Sequence, residues 1–114
     1  METVQPLAVR IEKDLLGNRE VPMDQYYGIH TLRALDNFKI SKHTVGEQSH
    51  FIRALKQVKK ASAQANQNFG LLPEDKSIAI QKACDVLIDQ PEQWATSFPS
   101  DVYQGGAGTS INMN

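Results

Sequence analysis

The last ten residues of the chain hold the side chains best suited to bind a ligand. They include three glycines and four small polar residues: Gly105, Gly106, Gly108, Thr109, Ser110, Asn112 and Asn114. Glycine allows positive φ angles and close approach of a ligand to the backbone, and hydroxyl and amide side chains both donate and accept hydrogen bonds. The pattern predicts an ordinary loop whose polar residues cap a following helix, or a loop that seats an anion.

Known phosphate-binding loops fit this segment poorly. The G-x-x-x-x-G-K-[ST] loop requires a lysine after its last glycine, and no lysine follows Gly108. The G-x-G-x-x-G pattern fails as well, because the run that starts at Gly106 reaches Ile111 where the third glycine is needed. A nucleotide phosphate is therefore disfavoured, whereas a carboxylate stays open. On composition alone, the ordinary loop with a helix cap is the simpler alternative.

The other reactive side chains are isolated in the sequence. His30 has no neighbour that would complete a catalytic pair, so a structural or surface role is favoured. His43 and His50 lack partners at metal-ligand spacing, and no metal site is predicted. Cys84 lies among apolar residues and is expected to be a buried, inert thiol.

Composition limits the classes of function. A chain of 114 residues with 40% apolar and 22% charged residues suits one globular domain. The formal net charge of −1, with both signs interspersed, argues against charge-driven binding to nucleic acid or to an anionic membrane. No apolar run is long enough for a membrane span. A single cysteine fits a reducing, cytoplasmic location.

Helical periodicity dominates the middle of the chain. Residues 28–38 predict a short helix, and residues 45–70 predict a long one with an apolar stripe and with Lys56, Lys59 and Lys60 largely off it. The stripe comprises Phe51, Leu55, Val58, Ser62, Ala65 and Phe69. Residues 71–90 predict a third helix with Pro73 in its first turn, and its apolar face comprises Ile80, Ala83, Cys84, Leu87 and Ile88. The connection between the two long helices is short, so they are expected to pair antiparallel.

The ends of the chain are predicted to be less regular. Residues 1–9 are interpreted as a flexible tail and residues 10–114 as one domain. The arm that precedes the first helix is expected to be irregular, with a possible short strand from Val9 to Ile11, since Gly17 and Pro22 interrupt any helix. Arg33 could pair with Asp36 and is expected to fix this arm. The predicted fold class is all-α: a small helical domain with an antiparallel helix pair, an irregular arm and a glycine-rich C-terminal loop.

Three blocks of the sequence resemble one enzyme family. RIEKDLLGNREVP (10–22), YYGIHTLRALDNF (26–38) and DVYQGGAGTSINMN (101–114) are similar to the opening segments of the aspartate ammonia-lyases, in the fumarase/aspartase superfamily. Class II fumarases typically have a tryptophan-glycine-alanine-glutamine pattern where this chain has residues 27–30. They typically have a glycine-serine-glycine-threonine-glutamine loop where this chain has residues 106–110. Both differences favour the aspartases.

The resemblance implies a function and a place in a longer chain. Family members convert L-aspartate reversibly to fumarate and ammonia without an organic cofactor, as cytoplasmic homotetramers whose subunits have three domains. By resemblance this chain is the N-terminal domain, and its loop threonine, Thr109, is a substrate-binding residue that donates to the substrate carboxylate. Ser110 is the secondary candidate. The serine base and its partners lie further along in the family, so no catalytic residue is expected here and the fragment alone is expected to be inactive.

Two other functions stay open on the sequence alone. The first is a class II fumarate hydratase domain, which would release water where an ammonia-lyase releases ammonia. The second is a stand-alone helical interaction module that uses the exposed parts of the two long helices. The residues that distinguish the hydratase from an ammonia-lyase contact the amino group and are expected outside this chain, whereas a monodisperse monomer with a cooperative melting curve would favour the interaction module.

Overall fold

The computed structural model describes residues 8–114, so residues 1–7 of the predicted tail lie outside the described residues. The elements in chain order are β1 (Val9–Asp14), β2 (Gly17–Pro22), α1 (Ile29–Asn37), a 3-10 helix (Val45–Glu47), α2 (Ser49–Asn68), α3 (Glu74–Asp89), a second 3-10 helix (Pro91–Ser97) and α4 (Thr109–Met113). They form two compact units. The first combines the described chain up to Thr44 with Ser97–Asn114, and the second is Val45–Thr96.

The all-α prediction is wrong for the N-terminal arm, which forms an antiparallel β-hairpin. The predicted short strand at Val9–Ile11 is part of β1, and β2, which was not predicted, pairs with it from Val9 opposite Pro22 to Asp14 opposite Gly17. The turn between the strands closes where the Leu16 N–H donates to Asp14 Oδ1 at 2.9 Å. Gly17 then has a φ of +116°, a conformation that side chains disfavour.

The hairpin holds α1 through polar side chains that project from alternate positions of β1. Glu12 Oε1 accepts a hydrogen bond from the Ile29 N–H at 2.9 Å, at the first residue of α1, where Gly28 has no side chain to cap the helix. A Cβ atom at Gly28 would lie 2.9 Å from that same oxygen. A side chain at this position would therefore push the Glu12 carboxylate away from the Ile29 N–H, and with glycine here a strand residue supplies the missing cap.

Arg33 joins the hairpin to α1, but through a different partner from the predicted one. Its guanidinium donates to both carboxylate oxygens of Asp14, at 2.7 and 2.8 Å, and to the Gly17 carbonyl at 3.1 Å. Asp36, the predicted partner, instead pairs with Arg19 at 2.6 Å. The hydrogen bond from Arg33 lowers the pKa of Asp14. The expected role of Arg33 in fixing the arm is confirmed, because a two-pronged pair fixes both distance and angle.

In the second unit, α2 and α3 form the predicted antiparallel pair. Lys60 bonds Asp85 near the middle of the pair, and the buried Ser77 hydroxyl donates to the Ala63 carbonyl at 3.0 Å. Gly70 ends the α2 segment with a φ of +72°, as a helix-terminating glycine does. The predicted place of Pro73 is off by one position, since it is the N-cap of α3 and the helix begins at Glu74.

The predicted apolar stripe of α2 is not the buried face. The buried residues of α2 are Ile52, Lys56 and Ala63, whereas Val58 is 64% and Phe69 is 82% exposed. Apolar residues are spread around more of α2 than one neighbouring helix covers, so spacing alone did not identify the face that meets α3.

Within the described residues, no helix has the length and apolarity to cross a membrane.

Burial changes two ionisable groups on this helix pair. Lys56, predicted to lie off the buried face, is only 7% exposed, and its pKa is lowered because burial penalises the ammonium ion. Cys84 on α3 is buried as predicted, and burial raises the pKa of its thiol. A raised pKa disfavours the reactive thiolate, which agrees with an inert cysteine.

Candidate functional site

Asp101 anchors the segment that leads into the glycine-rich loop. Its buried carboxylate accepts hydrogen bonds from the backbone N–H groups of Ile40, Ser41 and Tyr103, and from the Ser41 hydroxyl. The backbone donors of Ser41 and Tyr103 are the main reason that the pKa of Asp101 falls to about 2. The carboxylate is thus ionised at neutral pH, and it binds the chain after α1 to the chain before the loop.

Backbone contacts reinforce this anchor. Thr44 and Asp101 form an isolated antiparallel bridge, and the Val102 N–H donates to the His43 carbonyl at 3.1 Å. Since backbone and side-chain contacts act on adjacent residues, the loop starts from a fixed position. No sequence pattern predicts this anchor, because sixty or more residues separate Asp101 from Ile40 and Ser41 in the chain.

The glycine-rich segment forms a tight turn that leads directly into α4. The Gly108 N–H donates to the Gly105 carbonyl at 3.1 Å, and Gly108 adopts a φ of +76° at the N-cap position of α4. The observed helix cap therefore differs from the predicted one, in which a polar side chain of the loop caps a following helix. The helix begins at Thr109, within the chain, and the residue at its N-cap is a glycine without a side chain to donate or accept.

Gln104 makes a contact that was not predicted from the sequence. Its side-chain Oε1 accepts a hydrogen bond from the Ile111 N–H at 3.0 Å, and its Nε2 donates to the Asp101 carbonyl at 2.9 Å. One amide therefore connects the residues before the loop with the first turn of α4. No sequence rule identifies a side chain that caps a helix at a residue seven positions further along the chain. The only feature of the sequence that could have indicated a role for Gln104 is its position beside the glycine run.

Thr109 and Ser110, the predicted substrate-binding residues, are the first two residues of α4. Thr109 is exposed and Ser110 is half-buried. Among residues 8–114 neither hydroxyl has a hydrogen-bond partner in the structure. α4 lies against α1 within the same unit.

The two asparagines that follow differ in their surroundings. Asn114 donates to the Ser97 carbonyl at 2.9 Å and accepts a longer bond of 3.4 Å from the Ser100 hydroxyl. These bonds join the end of α4 to the chain that precedes Asp101, so Asn114 has a structural role. Asn112 is exposed.

The three histidines lie outside the glycine-rich loop. His30 is exposed and lines an open groove of about 750 Å³, together with Arg33 and with residues 13–16 of the hairpin. None of the residues lining this groove belongs to residues 101–114. His43 and His50 are exposed. In the part of the chain that the structure describes, no group of three or more His, Cys, Asp or Glu residues is arranged to hold a metal ion.

Comparison with known proteins identifies the class of protein that carries this loop. Residues 17–114 match a protein family described as Lyase, and the chain belongs to this family. Over 106 residues it is 51% identical to aspartate ammonia-lyase of Escherichia coli (strain K12), an alignment that covers 93% of this chain and 22% of the relative. The resemblance to the aspartate ammonia-lyases of the fumarase/aspartase superfamily is thus confirmed.

Solved structures support the same assignment. A fumarate lyase:delta crystallin from Brucella melitensis superimposes with a TM-score of 0.85 at 50% identity, covering 91% of this chain and 23% of that one. A class II fumarase from Schistosoma mansoni superimposes with a TM-score of 0.81 at 32% identity, covering 92% and 22%. The chain spans less than a quarter of the length of these relatives.

Proposed function

We propose that this chain is the N-terminal domain of an aspartate ammonia-lyase, which deaminates L-aspartate reversibly to fumarate and ammonia. The observation that carries the proposal is the identity of 51% with an aspartate ammonia-lyase over almost the whole chain. The identity with a class II fumarase structure is lower, at 32%. Family membership also favours a lyase domain over a stand-alone helical interaction module.

The reaction places extra negative charge on a substrate carboxylate. Removal of a proton from the carbon next to the β-carboxylate moves electrons onto its two oxygens, and ammonia then leaves from the neighbouring carbon. Hydrogen-bond donors that are already aimed at those oxygens stabilise this intermediate, because they need no reorganisation when the charge develops. We assign one such donor to the Thr109 hydroxyl, with Ser110 as the secondary candidate.

Three features of the loop support this assignment. The Thr109 side chain is exposed, and its hydroxyl has no partner among residues 8–114 that a substrate would have to displace. The preceding Gly108 leaves space on the side where a Cβ would otherwise stand, since no atom lies within 4 Å of that position. The loop is also fixed at both ends, by Asp101 and by Asn114, which favours a preorganised donor.

The remaining parts of the active site belong, in this proposal, to a longer chain and to neighbouring subunits. The complete enzyme is a cytoplasmic homotetramer that needs no organic cofactor. The 114 residues alone are expected to produce no fumarate from aspartate. Fumarate formation by the purified 114-residue chain would contradict this part of the proposal.

The proposal is tested with Thr109→Val in the complete enzyme that carries this chain. Valine keeps the branched shape and removes the hydroxyl, so kcat/KM for L-aspartate is expected to fall about 100-fold, the effect of losing one such donor. Steady-state kinetics measured by fumarate absorbance give this ratio. Thr109→Ser, which retains a hydroxyl, is expected to keep most of the activity.

Thr96→Val is the matched control, because Thr96 is exposed and belongs to the second unit. It is expected to leave the kinetics unchanged. Equal activity in Thr109→Val and the unsubstituted enzyme would refute the role of Thr109. Turnover of L-malate in place of L-aspartate by the unsubstituted enzyme would identify a fumarate hydratase instead.

A further inference from the structure

We infer that Gln104 is a positioning residue that sets the direction of the Thr109 hydroxyl, an inference that rests on the proposed function. Gln104 lies on the N-terminal side of the glycine run and Thr109 on its C-terminal side. The Gln104 amide bonds one residue on each side of that run, the Asp101 carbonyl and the Ile111 N–H. The Gln104 side chain therefore connects the two sides of the glycine run directly, without depending on the conformation of the glycines.

The loop needs such a link because its own backbone is weakly constrained. Gly105, Gly106 and Gly108 have no side chains to pack, and the space where a Cβ would stand is open at all three. Glycine has more conformational freedom than any other residue, so three of them make ordering the loop costly. The bond from the Gly108 N–H to the Gly105 carbonyl closes the turn without fixing it to the rest of the unit.

The link acts on Thr109 through the first turn of α4. Ile111 is two residues after Thr109, and its N–H is one of the helix-initiating donors that have no partner inside the helix. A helix of five residues is too short to be stable by itself. When Gln104 holds the Ile111 N–H, it fixes the rotation of this turn about its axis and hence the direction in which the Thr109 side chain projects.

The chemistry of the contact specifies glutamine. The acceptor oxygen meets an N–H and the donor nitrogen meets a carbonyl, so the reverse orientation of the amide would oppose like dipoles. Glutamate would keep the acceptor for Ile111, but it would place a carboxylate against the Asp101 carbonyl and add a negative charge beside a site for a dicarboxylate. Methionine keeps the length and removes both hydrogen bonds.

A double-mutant cycle in the complete enzyme tests the inference. Gln104→Met is expected to lower kcat/KM for L-aspartate roughly 10- to 100-fold, because a small misplacement of a catalytic donor has effects of that size. In the Thr109→Val background the same substitution is expected to change kcat/KM less than twofold, since the hydroxyl that it positions is gone. Hydrogen exchange of the peptide that spans residues 105–114 is expected to accelerate in Gln104→Met.

Controls separate positioning from folding. Gln57→Met, at an exposed position of α2, is expected to leave both activity and exchange unchanged. Gln104→Glu is included because it keeps one of the two bonds, so its exchange in residues 105–114 is expected to lie between that of the unsubstituted enzyme and that of Gln104→Met. If Gln104→Met fails to fold, the cycle is measured with Gln104→Asn, whose neutral amide is one methylene shorter and cannot reach both partners, and the same disappearance of its kinetic effect in Thr109→Val is expected.

The outcomes distinguish this inference from the proposed function. If Thr109→Val leaves activity unchanged, the proposed function of the loop fails. If Thr109→Val is impaired but the effects of the two substitutions multiply, Gln104 acts independently of Thr109 and the positioning inference is overturned. Unchanged kinetics and unchanged exchange in Gln104→Met would overturn it as well.

Discussion

Gly108 determines how the chain passes from the loop into α4. Its φ of +76° lies in the left-handed region, where a Cβ atom would be strained even though no neighbouring atom lies within 4 Å. Gly108→Ala is therefore expected to destabilise the protein by about 1–2 kcal/mol through backbone strain alone. Thermal unfolding of the purified protein measures this change.

Gly106→Ala is the matched control for this substitution. Gly106 also has open space around its Cβ position, but its φ is not in the left-handed region. Alanine there reduces the freedom of the unfolded chain without straining the folded one, so a neutral or slightly stabilising effect is expected. Equal losses in Gly106→Ala and Gly108→Ala would show that packing rather than φ is what matters in this loop.

The roles of single loop residues could be predicted from the sequence where they depend only on the residue type and its neighbours in the chain. The glycine run and the Thr109 hydroxyl are visible in the sequence, and the structure places Thr109 on the surface at a helix start. The roles of Asp101 and Gln104 were not predicted, because they depend on contacts that form only in the folded chain. Asp101 bonds Ser41, and Gln104 bonds Ile111. A contact of that kind leaves no spacing pattern in the chain.

Of the β-hairpin only a short part of β1 was predicted, because β2 has a single apolar residue with no alternation and the burial pattern of β1 is the reverse of the usual one. In β1 the apolar residues Val9 and Ile11 are exposed, at 41% and 61%, while Arg10, Glu12 and Asp14 are the partly buried positions. A strand is recognised when apolar residues alternate on the buried face. In β1 the charged residues occupy the partly buried face, where Glu12 and Asp14 bond α1, so the alternation of Val9 and Ile11 pointed to the wrong face of the strand.

The two long helices were predictable as elements, since helix periodicity and the short connection define them. The buried face of α2 was not, because Val58 and Phe69 follow helical spacing as well as Ile52 does. Which apolar stripe is buried depends on the contacts with α3, such as the bond from the Ser77 hydroxyl to the Ala63 carbonyl. That information comes from tertiary packing and not from α2 itself.

Ile52 tests this assignment of the buried face. Its side chain is fully buried, so Ile52→Ala is expected to cost about 2–5 kcal/mol from lost apolar burial and the resulting cavity. Chemical denaturation measured by circular dichroism gives the change in the free energy of unfolding. The predicted stripe of α2 makes the opposite forecast, since it leaves Ile52 on the outside.

Ile80→Ala makes the same chemical change at a position of α3 that is 41% exposed. A smaller loss is expected there, about 1 kcal/mol, because less apolar surface is removed and the space is open to water. A larger loss at Ile80 than at Ile52 would place the buried face of the helix pair elsewhere.

At the scale of the whole molecule, the two compact units differ in the interactions that stabilise each of them. Both units bury apolar residues, but the first unit also has carboxylates that accept hydrogen bonds from backbone and arginine donors. Among residues 8–114, four carboxyl groups have pKa values below their ordinary values, and all four belong to the first unit: Glu12, Asp14, Asp36 and Asp101. Hydrogen bonds from Arg10, Arg33, Arg19 and Ser41, respectively, are the largest causes.

These shifts predict that acid weakens the first unit. Each carboxyl group has a lower pKa in the folded protein than its ordinary value of 3.8 for aspartate or 4.5 for glutamate, so the folded state binds fewer protons than the unfolded state. The stabilisation is complete above those ordinary values. It is lost as the pH falls below them towards the folded pKa, which for Asp101 is about 2.

Nuclear magnetic resonance can follow this loss at individual amides. The Ile29 N–H reports on Glu12, and the Ser41 and Tyr103 N–H groups report on Asp101. The shifts of the Ser41 and Tyr103 N–H groups are expected to move as the pH approaches about 2, and that of the Ile29 N–H as the pH falls below the ordinary glutamate value of 4.5. The Gly108 N–H bonds a backbone carbonyl, so it is expected to move less over the same range.

Asp101→Asn provides the control for the largest of these contributions. The side-chain amide keeps one acceptor oxygen and replaces the other with a donor, so it cannot accept all four hydrogen bonds and no longer titrates. The variant is expected to be less stable at neutral pH and to show a smaller loss of stability between pH 4 and pH 2. An acid transition as steep as that of the unsubstituted protein would mean that Asp101 does not couple the loop to the fold through its charge.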